Sequence, residues 1–178
     1  RYDAIMEIML PSLGDERKET YSPILPISPK TGRVLYVPLL ECNASTAEIV
    51  FEGYDDDKPR VVGYRAKWDE ASYEYAHTPR RFDFPASDHS LVARLGALSL
   101  DCWRLFNVRG YARVDFRVDN SGQPWILEIN VNPCLSPDAG FAAALNRSGI
   151  PGRQAVEWII ADALAHAEGR GSRCGSTQ

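Results

Sequence analysis

No apolar run in the 178 residues approaches the ~20 that a membrane-spanning helix needs. Basic residues nowhere run beyond a pair, such as Arg80-Arg81, and the net charge is −4. A nucleic-acid partner would ask for a basic face or stripe, so no such partner is expected. The four cysteines, Cys42, Cys102, Cys134 and Cys174, include no CxxC, and the three histidines stand apart from one another. That spacing gives no zinc signal and no disulfide framework. Free thiols suit a reducing, cytoplasmic setting. The chain opens on Arg1-Tyr2-Asp3, without a signal-peptide pattern, and reads as a fragment or a processed product.

What remains is an ordinary globular composition, 44% hydrophobic and 25% charged. A chain of this length can bury about 70% of its unfolded surface, enough for one domain without covalent staples. We expect one domain over residues 1–168. From Gly169 onward the chain loses apolar periodicity and reads as a disordered tail over 169–178.

The N-terminal third is the least legible. Ala4 to Leu10 reads as a buried strand, and prolines cut the next stretch into short extended pieces. Lys30 to Arg33 reads as a turn leading to a strand over Val34–Leu40, with a further strand over Ala47–Phe51. Two helices stand out. Leu91, Leu95, Leu98, Cys102 and Leu105 recur at helical steps between about Ser87 and Phe106. Val156, Ile159, Ile160, Ala163, Leu164 and Ala167 repeat the pattern, and both stripes are expected to be core. A shorter helix is predicted to begin at Ser136 as N-cap, with Pro137 at its first position and Gly149 beyond its end.

The chemistry concentrates in Gly110 to Pro133, GYARVDFRVDNSGQPWILEINVNP. It reads as a hairpin of two strands joined by Asp119-Asn120-Ser121-Gly122. Pairing Val118 with Gln123 sets Arg113 opposite Glu128. Ala112, Val114, Phe116, Val118, Trp125, Leu127 and Ile129 then share a core face. Tyr111, Arg113, Asp115, Arg117, Ile126, Glu128 and Asn130 share the other. Asp115, Glu128 and the Asn130 amide oxygen form an all-oxygen donor set of the kind that suits hard Mg²⁺. Arg113 beside it makes sense if the metal arrives with a polyphosphate, which a guanidinium grips through two parallel hydrogen bonds. The competing reading is a ladder of exposed ion pairs, Arg113 with Glu128 and Arg117 with Asp115, worth only ~0–1 kcal/mol each. Asn130-Val131-Asn132-Pro133 favours the first: a strand ladder gains nothing from an Asn and a chain-stopping Pro.

RVDF…LEIN-x-NP, preceded by Val62-Gly63-Tyr64-Arg65-Ala66-Lys67-Trp68, resembles the C-terminal part of ATP-grasp ligases, nearest to the D-alanine–D-alanine ligases. The likeness runs from about Ala47 to Ala165. It implies an α+β fold, the ATP-grasp C-terminal subdomain, with a mainly antiparallel sheet, the hairpin central and helices flanking it. It implies ATP and Mg²⁺, two ions, as cofactors, with Asp115, Glu128 and Asn130 as metal ligands and Glu128 bridging. Arg113 matches the family's phosphate-contacting arginine, and Lys67 a lysine over the terminal phosphate. The implied activity joins a carboxylate to an amine through an acyl phosphate, on amino acid or peptide substrates. A non-catalytic nucleotide-binding module and an ATP-grasp phosphotransferase are the alternatives, and a homodimer stays open.

The sequence also departs from that pattern. Trp68 replaces a usual Tyr, and Cys134 a usual Gly. Ala139 stands where the family has a carboxylate-binding Ser, so an acceptor other than D-alanine is expected. Ser136, or amides at the following helix start, is the alternative anion site. Glu7, Gly14 and Glu16, or Glu19-Thr20-Tyr21, are candidates on the nucleotide-base side. The N-terminal part of a full enzyme of this kind is expected to be absent from the chain.

Overall fold

A computed structural model describes residues 28–40 and 43–171. Six strands form one antiparallel sheet: β1 (Arg33–Leu40), β2 (Asn43–Ala44), β3 (Ala47–Ile49), β4 (Arg80–Arg81), β5 (Tyr111–Val118) and β6 (Pro124–Asn130). Their order is β4-β3-β1-β5-β6, with β2 paired to the end of β1. Among the described residues five α-helices accompany it: α1 (Tyr64–Trp68), α2 (Tyr73–Ala76), α3 (His89–Leu105), α4 (Gly140–Arg147) and α5 (Gly152–Gly171). The expected α+β class with a mainly antiparallel sheet is what forms. The hairpin is not central as a whole, because β5 lies inside the sheet while β6 ends the strand order.

β1, RVLYVPLL, pairs along its whole length with β5, and its last six residues are buried. Proline inside an inner strand normally breaks a ladder. Here the Pro38 carbonyl accepts from Ser45 N, on the side where β2 and β3 separate. An extended residue directs N–H and C=O to the same side, so the missing N–H faces that break and the β5 ladder is intact.

The two faces of the sheet have different partners. Leu35, Val37, Leu39, Val114, Phe116 and Val118 pack against Leu95 and Cys102 of α3 and form the main core. On the opposite face Leu40 meets Phe141 and Leu145 of α4 and Ala155 of α5, while Tyr36 and Ala47 meet Ala144. Among the described residues, helices pack on only part of this second face, and the remainder carries the polar residues of interest.

Helix ends follow local chemistry. α3 stops where Asn107 turns into the left-handed region at φ 50°, with Val108 N donating to the Trp103 carbonyl. Its stripe is core at Leu91, Leu95, Leu98 and Cys102, but the expected fifth member Leu105 is 80% exposed, at the helix end beyond the sheet. α4 begins at Gly140 rather than after Ser136: Ala139 is its N-cap, and its N–H donates to the Ser136 carbonyl in a preceding turn. In α5 only Ala155, Trp158 and Ile159 pack inward. Val156, Ile160 and Leu164, expected as core, are exposed on another side of the helix. α5 runs to Gly171, into the stretch read as tail; residues 172–178 lie outside the described residues. So do the expected strand at 4–10 and the Glu7, Gly14, Glu16 and Glu19–Tyr21 candidates.

Candidate active site

Asp119 builds the hairpin turn. One of its carboxylate oxygens accepts from Ser121 N (2.9 Å), Ser121 Oγ (2.6 Å) and Gln123 N (3.0 Å), and the other from Trp125 Nε1 (3.1 Å). These bonds, led by the Ser121 hydroxyl and the Trp125 indole, hold the Asp119 carboxyl down at about 2. The turn closes on Val118 opposite Pro124, one residue later than the spacing suggests. A bulge then adds one residue to β6 between the Phe116–Ile126 and Asp115–Glu128 pairs.

The two single-residue shifts cancel in face but add in register. Arg113 lies opposite Asn130 and Asp115 opposite Glu128, not Arg113 opposite Glu128. Arg113, Asp115, Glu128 and Asn130 nevertheless share one surface, as expected. Between turn and bulge the faces swap: Ile126 pairs with core-facing Phe116, and Trp125 with Arg117.

The ion-pair ladder is absent in its expected form. Arg113 grips Asp115 on its own strand through Nε to Oδ1 (2.6 Å) and Nη2 to Oδ2 (2.7 Å). Burial is the largest single influence and opposes its charge, but the Asp115 hydrogen bonds together with the charges of Asp115 and Glu128 outweigh it, so its pKa is raised. Arg117 donates instead to the carbonyls of Pro29, Thr31 and Arg60, tying the segments before β1 and before α1 to the sheet. Buried and near Arg60, its pKa is lowered.

The Glu128 carboxylate has no hydrogen-bond partner among the described residues. Burial first, and the neighbouring Asp115 second, push its carboxyl above the usual range; the charges of Arg113 and Lys67 oppose this. Lys67 is thus brought within electrostatic reach of Glu128, although 60 residues of chain lie between them. It rides on α1, which buried Ser72 anchors by donating to the carbonyls of Arg65 (3.0 Å) and Asp69 (2.7 Å). Trp68, next to it, is 68% exposed. Asn130 Oδ1 accepts from Asn132 N (2.9 Å), and Asn132 Oδ1 from the Tyr111 hydroxyl (2.7 Å), so the end of β6 is fixed. Cys134 follows, exposed, its thiol pulled below the usual value by Ser136.

This donor set fits a hard divalent cation. Asp115 and Glu128 lie opposite each other across the strand pair; the Arg113 guanidinium is bonded to Asp115 alone, and among the described residues no bonded group offsets the Glu128 charge. No cluster of three His, Cys, Asp or Glu side chains exists among the described residues. Asp115, Glu128 and Asn130 would therefore supply part of an oxygen shell, leaving the rest to water or phosphate.

One further residue of this face gives no signal in the sequence. Tyr36 of β1 pairs with Asp115 and so lies on the same face. An aromatic in a hydrophobic strand gives no signal of a site; only the β1–β5 register shows it. An open depression lined by Arg33, Asp88, Arg94 and Asp119, at the turn end of the hairpin, contains none of the predicted site residues.

Comparison with known proteins supplies the family. Residues 32–161 match the family described as D-ala D-ala ligase C-terminus. Among solved structures, the D-alanine–D-alanine ligase of Bacillus anthracis complexed with ATP superposes with a TM-score of 0.58 at 18% identity, over 78% of this chain and 40% of that one. The Coxiella burnetii D-alanine–D-alanine ligase gives 0.60 at 19% identity, over 81% and 36%. At these identities the likeness is one of fold. Curated relatives include a lysine–tRNA ligase of Rickettsia rickettsii, 50% identical over 100 residues, covering 53% of this chain and 19% of the relative. That of Roseobacter denitrificans is 50% identical over 58 residues, covering 33% and 11%. The chain thus spans under a fifth of these curated relatives and about two fifths of the matched structures. With the match covering well over half of its length, the chain belongs to the D-ala D-ala ligase C-terminus family.

Proposed function

We propose that this chain forms the metal-binding wall of an ATP- and Mg²⁺-dependent ligase that joins a carboxylate to an amine. The observation that carries this reading is the convergence of Arg113, Asp115, Glu128 and Asn130 on one sheet face, with the Glu128 carboxylate facing Asp115, unbonded among the described residues, and Lys67 close by. Arg113 and Lys67 would bind the nucleotide phosphates, and Asp115, Glu128 and Asn130 would hold Mg²⁺. The bound metal would draw charge from the phosphate oxygens. Arg113 keeps a fixed guanidinium beside them, where charge builds as the terminal phosphoryl group moves.

In the proposed reaction a substrate carboxylate oxygen attacks the terminal phosphorus and ADP leaves. An amine then attacks the acyl carbon, phosphate leaves, and an amide forms. The substrates are amino acids or short peptides. Ala139, at the N-cap of α4, offers only a methyl group, so the acceptor would differ from D-alanine.

The test is ADP release from Mg-ATP with a panel of amino acids and dipeptides. Arg113→Ala is expected to lower turnover by about a hundredfold or more, the usual cost of removing a preorganised partner of developing charge. Glu128→Gln should lower it and weaken its Mg²⁺ dependence. Turnover that needs the carboxylate substrate but no amine would point to a phosphotransferase. Turnover indifferent to both substitutions would defeat the reading.

A further inference from the structure

Tyr36 touches two parts of this site. It is 5% exposed and lies on the site face opposite Asp115. The Arg113 guanidinium carbon stands 5.6 Å from the centre of its ring, inside the roughly 6 Å reach of a cation–π contact. Its hydroxyl donates to the carbonyl of Gly140 (3.3 Å), the first residue of α4 and the end of the segment that follows β6. Ala144, one turn further on, packs against the same tyrosine.

The fit at Gly140 is close. A Cβ there would lie 2.7 Å from Tyr36 Oη and 3.1 Å from Cζ, so only glycine admits the hydroxyl in this position. Burial pushes the hydroxyl's pKa up to about 12, which keeps it a neutral donor at every ordinary pH.

We propose that Tyr36 is the positioning residue of the site: its ring seats Arg113 and its hydroxyl ties down the first turn of α4. The arginine and the segment from Val131 to Ala139 thereby keep a fixed spacing. The geometry stands by itself; its use in catalysis rests on the nucleotide–metal reading above.

Three variants of the 178-residue chain separate the two contacts. Tyr36→Phe keeps the ring and removes the hydroxyl. Gly140→Ala keeps Tyr36 and displaces its hydroxyl. Tyr36→Leu removes both. Two readouts need no ligand: amide hydrogen exchange at Gly140–Ala144, and the NMR resonance of Arg113 Nε–H, assigned by its loss in Arg113→Lys. Tyr36→Phe and Gly140→Ala should speed exchange at the start of α4 several-fold and leave the Arg113 resonance near its wild-type position. Tyr36→Leu should speed exchange and also move the resonance.

A merely structural role would lower the melting temperature without this split between variants. Unchanged exchange in Tyr36→Phe would overturn the proposal even if Tyr36→Leu did not fold. An unmoved Arg113 resonance in a folded Tyr36→Leu would overturn it too. Affinity for Mg-ATP, measured alongside, keeps the two readings apart. A wild-type chain with no affinity counts against the nucleotide site alone, and the exchange data still decide Tyr36. Binding about tenfold weaker in Tyr36→Leu supports both.

Discussion

Glu128 is the residue on which the account turns. Burial and the adjacent Asp115 raise its carboxyl pKa, so the folded chain holds the Glu128 proton more tightly than the unfolded chain does. Below the unfolded value of about 4.3 both states are protonated and nothing is lost. Above the raised folded value the ionised form costs stability. Glu128→Gln should therefore raise the melting temperature of the metal-free chain at pH 7, and the gain should vanish as the pH falls below about 4. Thermal melts of both proteins across that range check the sign. A Glu128→Gln chain less stable than wild type at pH 7 would show that the carboxylate already has a bonded partner.

At the level of elements the hairpin decides everything, and Asp119 decides the hairpin. Its carboxyl is held at about 2, so the stability it contributes is present above the unfolded aspartate value near 4 and is lost as the pH falls towards 2. Asp119→Ala should lower the melting temperature at pH 7 and have little effect near pH 2. It should also speed amide exchange in β6 more than in β1, which has partners on both sides. Equal exchange across the sheet would deny the turn this role.

The same hairpin shows how far sequence alone could reach. Alternation puts Arg113 and Asp115 on one face of β5 and Glu128 and Asn130 on one face of β6, and the two pairs meet on a common surface because the turn shift and the bulge cancel in face. The partners could not be read, since they depend on where the turn closes and on a bulge beyond Phe116, and neither leaves a mark in residue type. The α4 start was misplaced for a related reason. Ser136-Pro137 has N-cap chemistry, but it is spent on a turn that ends at Ala139. Tyr36 was invisible because nothing in β1 distinguishes it from a core aromatic until β5 is laid beside it.

At the scale of the molecule, among the described residues α3 packs on one face of the sheet and α4 and α5 on part of the other, whose remainder carries the polar residues. The exposed side of α5 at Val156, Ile160 and Leu164 was legible as apolar periodicity but not as surface, because a periodic pattern does not tell which stripe meets the sheet. The proposed nucleotide–metal wall lies on that face, and the most direct test is thermal stability with and without Mg-ATP. A ligand at 100 times its Kd stabilises by about 2.7 kcal/mol, which is several degrees for a chain of this size. The wild type should rise by that amount only when Mg²⁺ and ATP are both present, and Asp115→Asn should not rise. A shift that survives in Asp115→Asn, or no shift at saturating Mg-ATP, would contradict a nucleotide–metal site on this hairpin.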